Sequence, residues 1–183
     1  MPEPTIVFVI AIVAATLITA VSDIRWNRIP NYFTVPIFAA ALIYHGVTSG
    51  LSGLGMSLLG FALGMVLLLV PWLFGGGGAG DVKLMAAIGA WFGPKLVLCV
   101  WMASMAFALC METAVLIYVA VTHGITAAKS RYLSQDQTSK SKQRSNIPPK
   151  PVRKRVVPYA VPVALGSWIV LVYLVLQNPI FAR

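Results

Sequence analysis

Acidic residues are scarce in this chain: five Asp and Glu stand against fourteen Lys and Arg in 183 residues. Charged residues of both signs make up 10% of the sequence, apolar ones 58%, and the mean hydropathy is +0.83. A soluble domain carries about 25% charged residues, so water is excluded as the main solvent. Cysteine is almost absent. Cys99 and Cys110 are 11 residues apart within one apolar run, about 16 Å along a helix at 1.5 Å per residue, which excludes a disulfide between them. Neither belongs to a Cys-x-x-Cys pair, and the two histidines, His45 and His123, have no partner at ligand spacing. A zinc or dithiol site is thereby excluded, and no metal or cofactor is expected. The net charge of +9 invites nucleic acid as a partner. The basic residues, however, sit between apolar runs and not on a polar surface studded with aromatics, which argues against it.

The chain is instead rich in long hydrophobic runs, over residues 6–21, 32–47, 54–74, 82–92, 96–121 and 156–176. At roughly 20 residues per crossing, they predict an all-α polytopic protein of six transmembrane helices, the fourth short, forming one membrane domain over residues 1–183. No Lys or Arg precedes the first run, so it reads as a retained helix and not as a secretory signal. Twelve of the fourteen basic residues then fall on one side, the exceptions being Lys95 and Arg183. Positively charged loops stay in the cytoplasm. Both termini are therefore expected outside, with the loops around Asp23 and Asp81 inside.

Residues 123–155 form the longest polar stretch, rich in Ser, Gln, Lys and Arg and closed by Pro148, Pro149 and Pro151. It lacks the apolar content to fold alone and reads as a flexible basic cytoplasmic loop. Its charge suits topology control, contact with anionic lipid, or a protein partner. Gly60-x-x-x-Gly64 and Gly89-x-x-x-Gly93 are spaced to let helix backbones approach closely.

Chemistry points to the acids. Glu3 and Asp136 lie in polar segments, whereas Asp23, Asp81 and Glu112 sit at or within apolar runs, where ionisable groups are expensive and are kept for pairing or function. Asp23 follows the first run, and Asp81 follows Gly75-Gly76-Gly77-Gly78-Ala79-Gly80. The crossing pattern brings both to one membrane face. Two carboxylates in such a place resist double ionisation and share a proton. The ionised one can then take a proton from water while its neighbour donates to a scissile carbonyl oxygen. Glycines beside the pair would let an extended peptide backbone come close.

Gly78-Ala79-Gly80-Asp81, opening an apolar helix, resembles the Gly-x-Gly-Asp motif of membrane-embedded aspartyl proteases. It is most similar to that of the type IV prepilin and preflagellin peptidases. Asp23 with Ile29, Pro30 and Asn31 resembles that family's other aspartate stretch, and Pro158-Tyr159-Ala160-Val161-Pro162 its entry into the last helix. The resemblance implies an aspartyl endopeptidase of the bacterial inner membrane that removes the basic leader of prepilin-like proteins at the cytoplasmic face, with Asp23 and Asp81 as the catalytic pair. Larger members carry a cytoplasmic Cys-x-x-Cys insertion and N-methylate the pilin. Asn27 to Tyr32 leaves no room for that insertion here, so the likeness is to the short, peptidase-only forms of Flp (Tad) pilus systems.

Around the pair, Gly78, Gly80, Asn27 and Asn31 are candidates for the active-site loops. Glu112 is a candidate for substrate contact, or for a structural hydrogen bond to a neighbouring helix. Arg25 and Arg28 are explained by topology, Lys83 by snorkelling, and the histidines by positions near helix ends. Two other readings stay open: a non-enzymatic assembly factor acting through the basic loop, and a small transporter using the glycine break.

Overall fold

The computed structural model describes residues 6–26, 29–73, 78–123 and 159–177. These form four helices, α1 (Ile6–Trp26), α2 (Asn31–Leu73), α3 (Ala79–His123) and α4 (Ala160–Gln177), with no strand among the described residues. Each is long and apolar enough to cross a membrane, as the all-α reading requires. The expected basic loop, residues 124–155 of it, and both termini lie outside the described residues.

Two expected gaps between apolar runs shrink to single glycines. Gly50 (φ 61, ψ −146) breaks α2, and Gly93 (φ 73, ψ 176) breaks α3. Both conformations belong to a region essentially reserved for glycine. Each break reverses the chain. A Cβ on Gly53 would collide with the carbonyl oxygen of His45, and one on Gly46 would press on the Leu54 side chain at 3.3 Å. Residues eight apart in a straight helix stand about 12 Å from each other. In the same way a Cβ on Gly89 would meet Val97 at 3.1 Å across Gly93. Thus α2 and α3 are helical hairpins, with helical pieces at 31–49 and 51–73, and at 79–92 and 94–123.

The described residues fall in two compact units. One comprises residues 1–107 with 158–183; the other spans residues 108–157, of which 108–123 are described as the last part of α3. In that part Thr113 and Thr122 turn their hydroxyls back to the carbonyls of Leu109 and Tyr118, at 2.8 and 2.7 Å.

In the first unit small residues set the packing. Gly60 and Gly89 face each other so closely that a Cβ on either would strike the other's carbonyl oxygen, and Gly64 abuts Met85. The Gly-x-x-x-Gly spacing is therefore a backbone contact between 51–73 and 79–92. On the last helix, a Cβ on Gly166 would meet Ser104 Oγ at 2.5 Å. Helix α4 runs antiparallel to α1, with the Trp168 indole N–H donating to Thr16 Oγ1 at 2.9 Å. Phe8 sits at the centre, its ring 5.8 Å from that of Trp91 and 5.7 Å from that of Phe92, both edge-on.

Among the described residues the buried side-chain polar groups have partners, with the exception of the Trp101 indole N–H. The Trp91 indole donates to the Ile37 carbonyl, Ser57 to that of Ala90, and His45 Nε2 meets the Trp91 carbonyl at 3.0 Å. Since a carbonyl only accepts, that ring nitrogen carries the proton. His45, near the end of the 31–49 piece as expected, is thus a buried cross-link between helical pieces. Outside, Ile10, Val47, Leu59, Leu73 and Leu176 are exposed. Hydroxyls inside and aliphatic side chains outside is the arrangement a lipid solvent demands, because unpaired polar groups there cost several kcal/mol each, roughly. The chain is a multi-pass membrane protein.

Candidate active site

Asp23 lies within α1, not beyond its end as the apolar run suggested. The helix continues through Ser22-Asp23-Ile24-Arg25-Trp26 because none of these residues breaks it, and Arg25 in the last turn suits the negative end of the helix dipole. The Asp23 side chain is 4% exposed. Its Oδ2 accepts the main-chain N–H of Ala160, the first residue of α4, at 3.1 Å. Arg25 is exposed, its guanidinium carbon 5.9 Å from the Trp26 ring centroid.

Asp81 occupies the first turn of α3 and is 5% exposed. The N–H groups of Asp81 and Val82 donate to the Gly78 carbonyl at 3.0 and 3.4 Å, while Asp81 Oδ2 accepts the Gly78 N–H at 3.1 Å. A third helical residue reaching back to the N-cap amide is half of a capping box. Asp81 therefore helps to start its own helix as well as standing at the site.

Short contacts bring the segment after α1 and the start of α3 together. A Cβ on Gly80 would meet Ile29 Cβ at 3.2 Å, so Gly80 lets the segment after α1 approach closely. Lys83, expected to snorkel, donates its Nζ to Asn31 Oδ1 at 2.9 Å. The C-terminal end of α1 and the N-terminal ends of α2, α3 and α4 thus share one end of the first unit, and Asp23 and Asp81 stand there buried.

The other candidates separate. Asn31 binds Lys83 and Gly78 caps α3, while Asn27 and Arg28 lie outside the described residues. Glu112 belongs to the second unit, and its side chain is exposed. An apolar groove of about 280 Å³ between α1 and the first piece of α2 is lined by Ala11, Ala15, Ile18, Tyr32, Pro36 and Trp91, among others. It holds no acid or base and adds no chemistry of its own. Cys99 and Cys110 are free and exposed. Among the described residues no group of three His, Cys, Asp or Glu could hold a metal ion.

Sequence reasoning missed the Ala160 amide, since a main-chain donor has no side-chain signature. Its signal was the Pro158-Tyr159-Ala160-Val161-Pro162 entry, because proline in a first turn marks where unpaired helix N–H groups begin.

Residues 10–113 match the model of the type IV leader peptidase family. The chain belongs to this family. The matched stretch carries both buried aspartates and Glu112 and ends before α4. Two curated relatives agree with it. The prepilin leader peptidase/N-methyltransferase of Bacillus subtilis is 37% identical over 99 residues, covering 51% of this chain and 37% of that protein. The protein of the same name from Xanthomonas campestris pv. campestris is 39% identical over 101 residues, covering 48% of this chain and 33% of that protein. The chain thus spans about a third of the length of the curated relatives it matches. No solved structure matches it.

Proposed function

We propose that this protein is a membrane-embedded aspartyl endopeptidase that removes the basic leader of prepilin-like proteins at the cytoplasmic face of a bacterial inner membrane. The observation that carries the reading is the burial of Asp23 and Asp81 at one end of the helical unit, both within a stretch that matches the leader peptidase family. In this reading the six helical pieces are six crossings with both termini outside. The basic loop faces the cytoplasm, in contact with anionic lipid.

The chemistry needs no covalent intermediate and no cofactor. With one proton between the two carboxylates, the ionised one removes a proton from a water molecule as the water oxygen attacks the scissile carbonyl carbon. The other carboxylic acid gives its proton to the carbonyl oxygen, forming a neutral gem-diol. In the second step the C–N bond breaks, the leaving nitrogen takes a proton from the first aspartate, and a gem-diol hydroxyl returns its proton to the second. Gly78 and Gly80 shape the Asp81 turn, and Asn27 and Asn31 shape the segment after α1. Glu112 is a candidate for contact with the substrate.

With no room for a Cys-x-x-Cys insertion between Asn27 and Tyr32, the enzyme cleaves without methylating, as in Flp pilus systems. Incubating the purified chain in detergent with a prepilin tests the proposal. Cleavage after the leader is expected, without transfer of a methyl group from S-adenosylmethionine. An intact prepilin after long incubation with folded protein contradicts it.

A further inference from the structure

The bond from the Ala160 N–H to Asp23 joins residues 137 positions apart in the sequence and is buried. Its geometry is that of a helix cap supplied from another helix. The N–H of Val163 returns to the Tyr159 carbonyl at 3.3 Å, which makes Tyr159 the N-cap of α4 and Ala160 its first helical residue. The first N–H groups of a helix have no partner within it, and the helix dipole places partial positive charge there. In α4 the Ala160 donor is spent on the Asp23 carboxylate, and both residues are buried: Ala160 is 1% exposed and Asp23 4%. Three further features hold the donor in place. Pro162 sits in the first turn of α4, Trp168 is bonded to Thr16 farther along α1, and the tight contact of Gly166 with Ser104 fixes α4 against α3.

We propose that the Ala160 N–H is a positioning group of the aspartate site. By fixing Oδ2 of Asp23 it sets the carboxylate plane and turns Oδ1 toward the water that is to be activated. This rests on the proposed peptidase reading and assigns α4 a role in it. The role is distinct from that of Gly78, whose N–H holds Asp81 from within the same helix turn. Because the donor is a main-chain group, side-chain identity at position 160 is secondary and the presence of an N–H is what matters.

The experiment is prepilin cleavage by the full-length chain in detergent, comparing wild type with Ala160→Pro. Proline is well accepted at the first position of a helix, so α4 is retained, but the proline Cδ presses on Asp23 Oδ2 as well as removing the donor. A fall in kcat of at least about tenfold is expected, with KM within about twofold of wild type. Thermal unfolding shows whether the variant is folded. To separate the lost donor from the bulk of the ring, the same comparison is made with lactic acid in place of alanine at 160, which exchanges the N–H for an ester oxygen of the same size. An ester at Val161 removes a neighbouring first-turn N–H and leaves kcat unchanged. Wild-type kcat in folded Ala160→Pro, or equal losses from the esters at 160 and 161, overturns the positioning role. Failure of the wild-type chain to cleave overturns the peptidase reading and this inference with it. Loss of cleavage in Asp23→Asn alongside full activity in the Ala160 variants overturns this inference alone.

Discussion

Asp23 and Asp81 are each bonded to a helix N-terminus, one supplied by α4 and the other by α3 itself. Such a bond satisfies a main-chain donor as well as the carboxylate, so replacing either residue has a structural cost besides any loss of chemistry. Asparagine keeps a side-chain oxygen that can accept the same N–H. Asp81→Asn is therefore expected to lower stability by less than about 1 kcal/mol, whereas Asp81→Ala, which leaves the Gly78 amide without its cap, costs about 1–2 kcal/mol. Thermal unfolding in detergent measures both. The Lys83–Asn31 bond is exposed. Lys83→Met is expected to change stability by less than about 1 kcal/mol, and a larger loss would mean that this strap holds the site together. At this scale the sequence already singled out the two aspartates, because carboxylates are so few and so costly beside apolar runs. It could not show Ile29 filling the space above Gly80, since that contact spans 51 positions and depends on how α1 and α3 pack.

The helices owe their turns to glycine. Gly50 and Gly93 adopt backbone angles that side-chain-bearing residues avoid, so Gly93→Ala is expected to cost about 1–3 kcal/mol through conformation alone. Gly60→Ala acts differently. Its new methyl group would strike the Gly89 carbonyl and force 51–73 away from 79–92, at a cost of about 1–3 kcal/mol from overpacking. Gly55, which has nothing within 4 Å of an added Cβ, serves as the control: there alanine is expected to be neutral or slightly stabilising, by up to about 1 kcal/mol. Unfolding midpoints of the three variants separate these effects. The apolar runs made the helices legible, and the Gly-x-x-x-Gly spacing made their close contact legible. Their ends were less so. The run ending at Val21 hid the last turn of α1, because Ser22, Asp23 and Arg25 are polar yet helix-compatible. Nothing in composition distinguishes a one-residue reversal at Gly50 from an exposed loop.

In the first unit apolar side chains face outward around an apolar core that holds a few bonded hydroxyls, and the two buried aspartates stand at one end of it. The sidedness rests on charge. In the proposed six-crossing reading twelve of the fourteen basic residues fall on one side, and the basic loop serves that bias and not catalysis. Deleting residues 130–150 from the purified protein is therefore expected to leave prepilin cleavage within about threefold of wild type, at a cost of less than about 1 kcal/mol in activation free energy. Loss of the protein's function in cells on deletion, with that function retained in both aspartate variants, would favour the non-enzymatic assembly-factor reading. The most direct test of the account compares wild type, Asp23→Asn and Asp81→Asn, each shown to be folded in detergent, for cleavage of one prepilin followed by mass spectrometry of the products. The account predicts leader release by wild type and a loss of at least about a thousandfold in each variant, since removing one member of a catalytic unit is nearly as damaging as removing both. Wild-type cleavage by a folded Asp23→Asn or Asp81→Asn protein would contradict it.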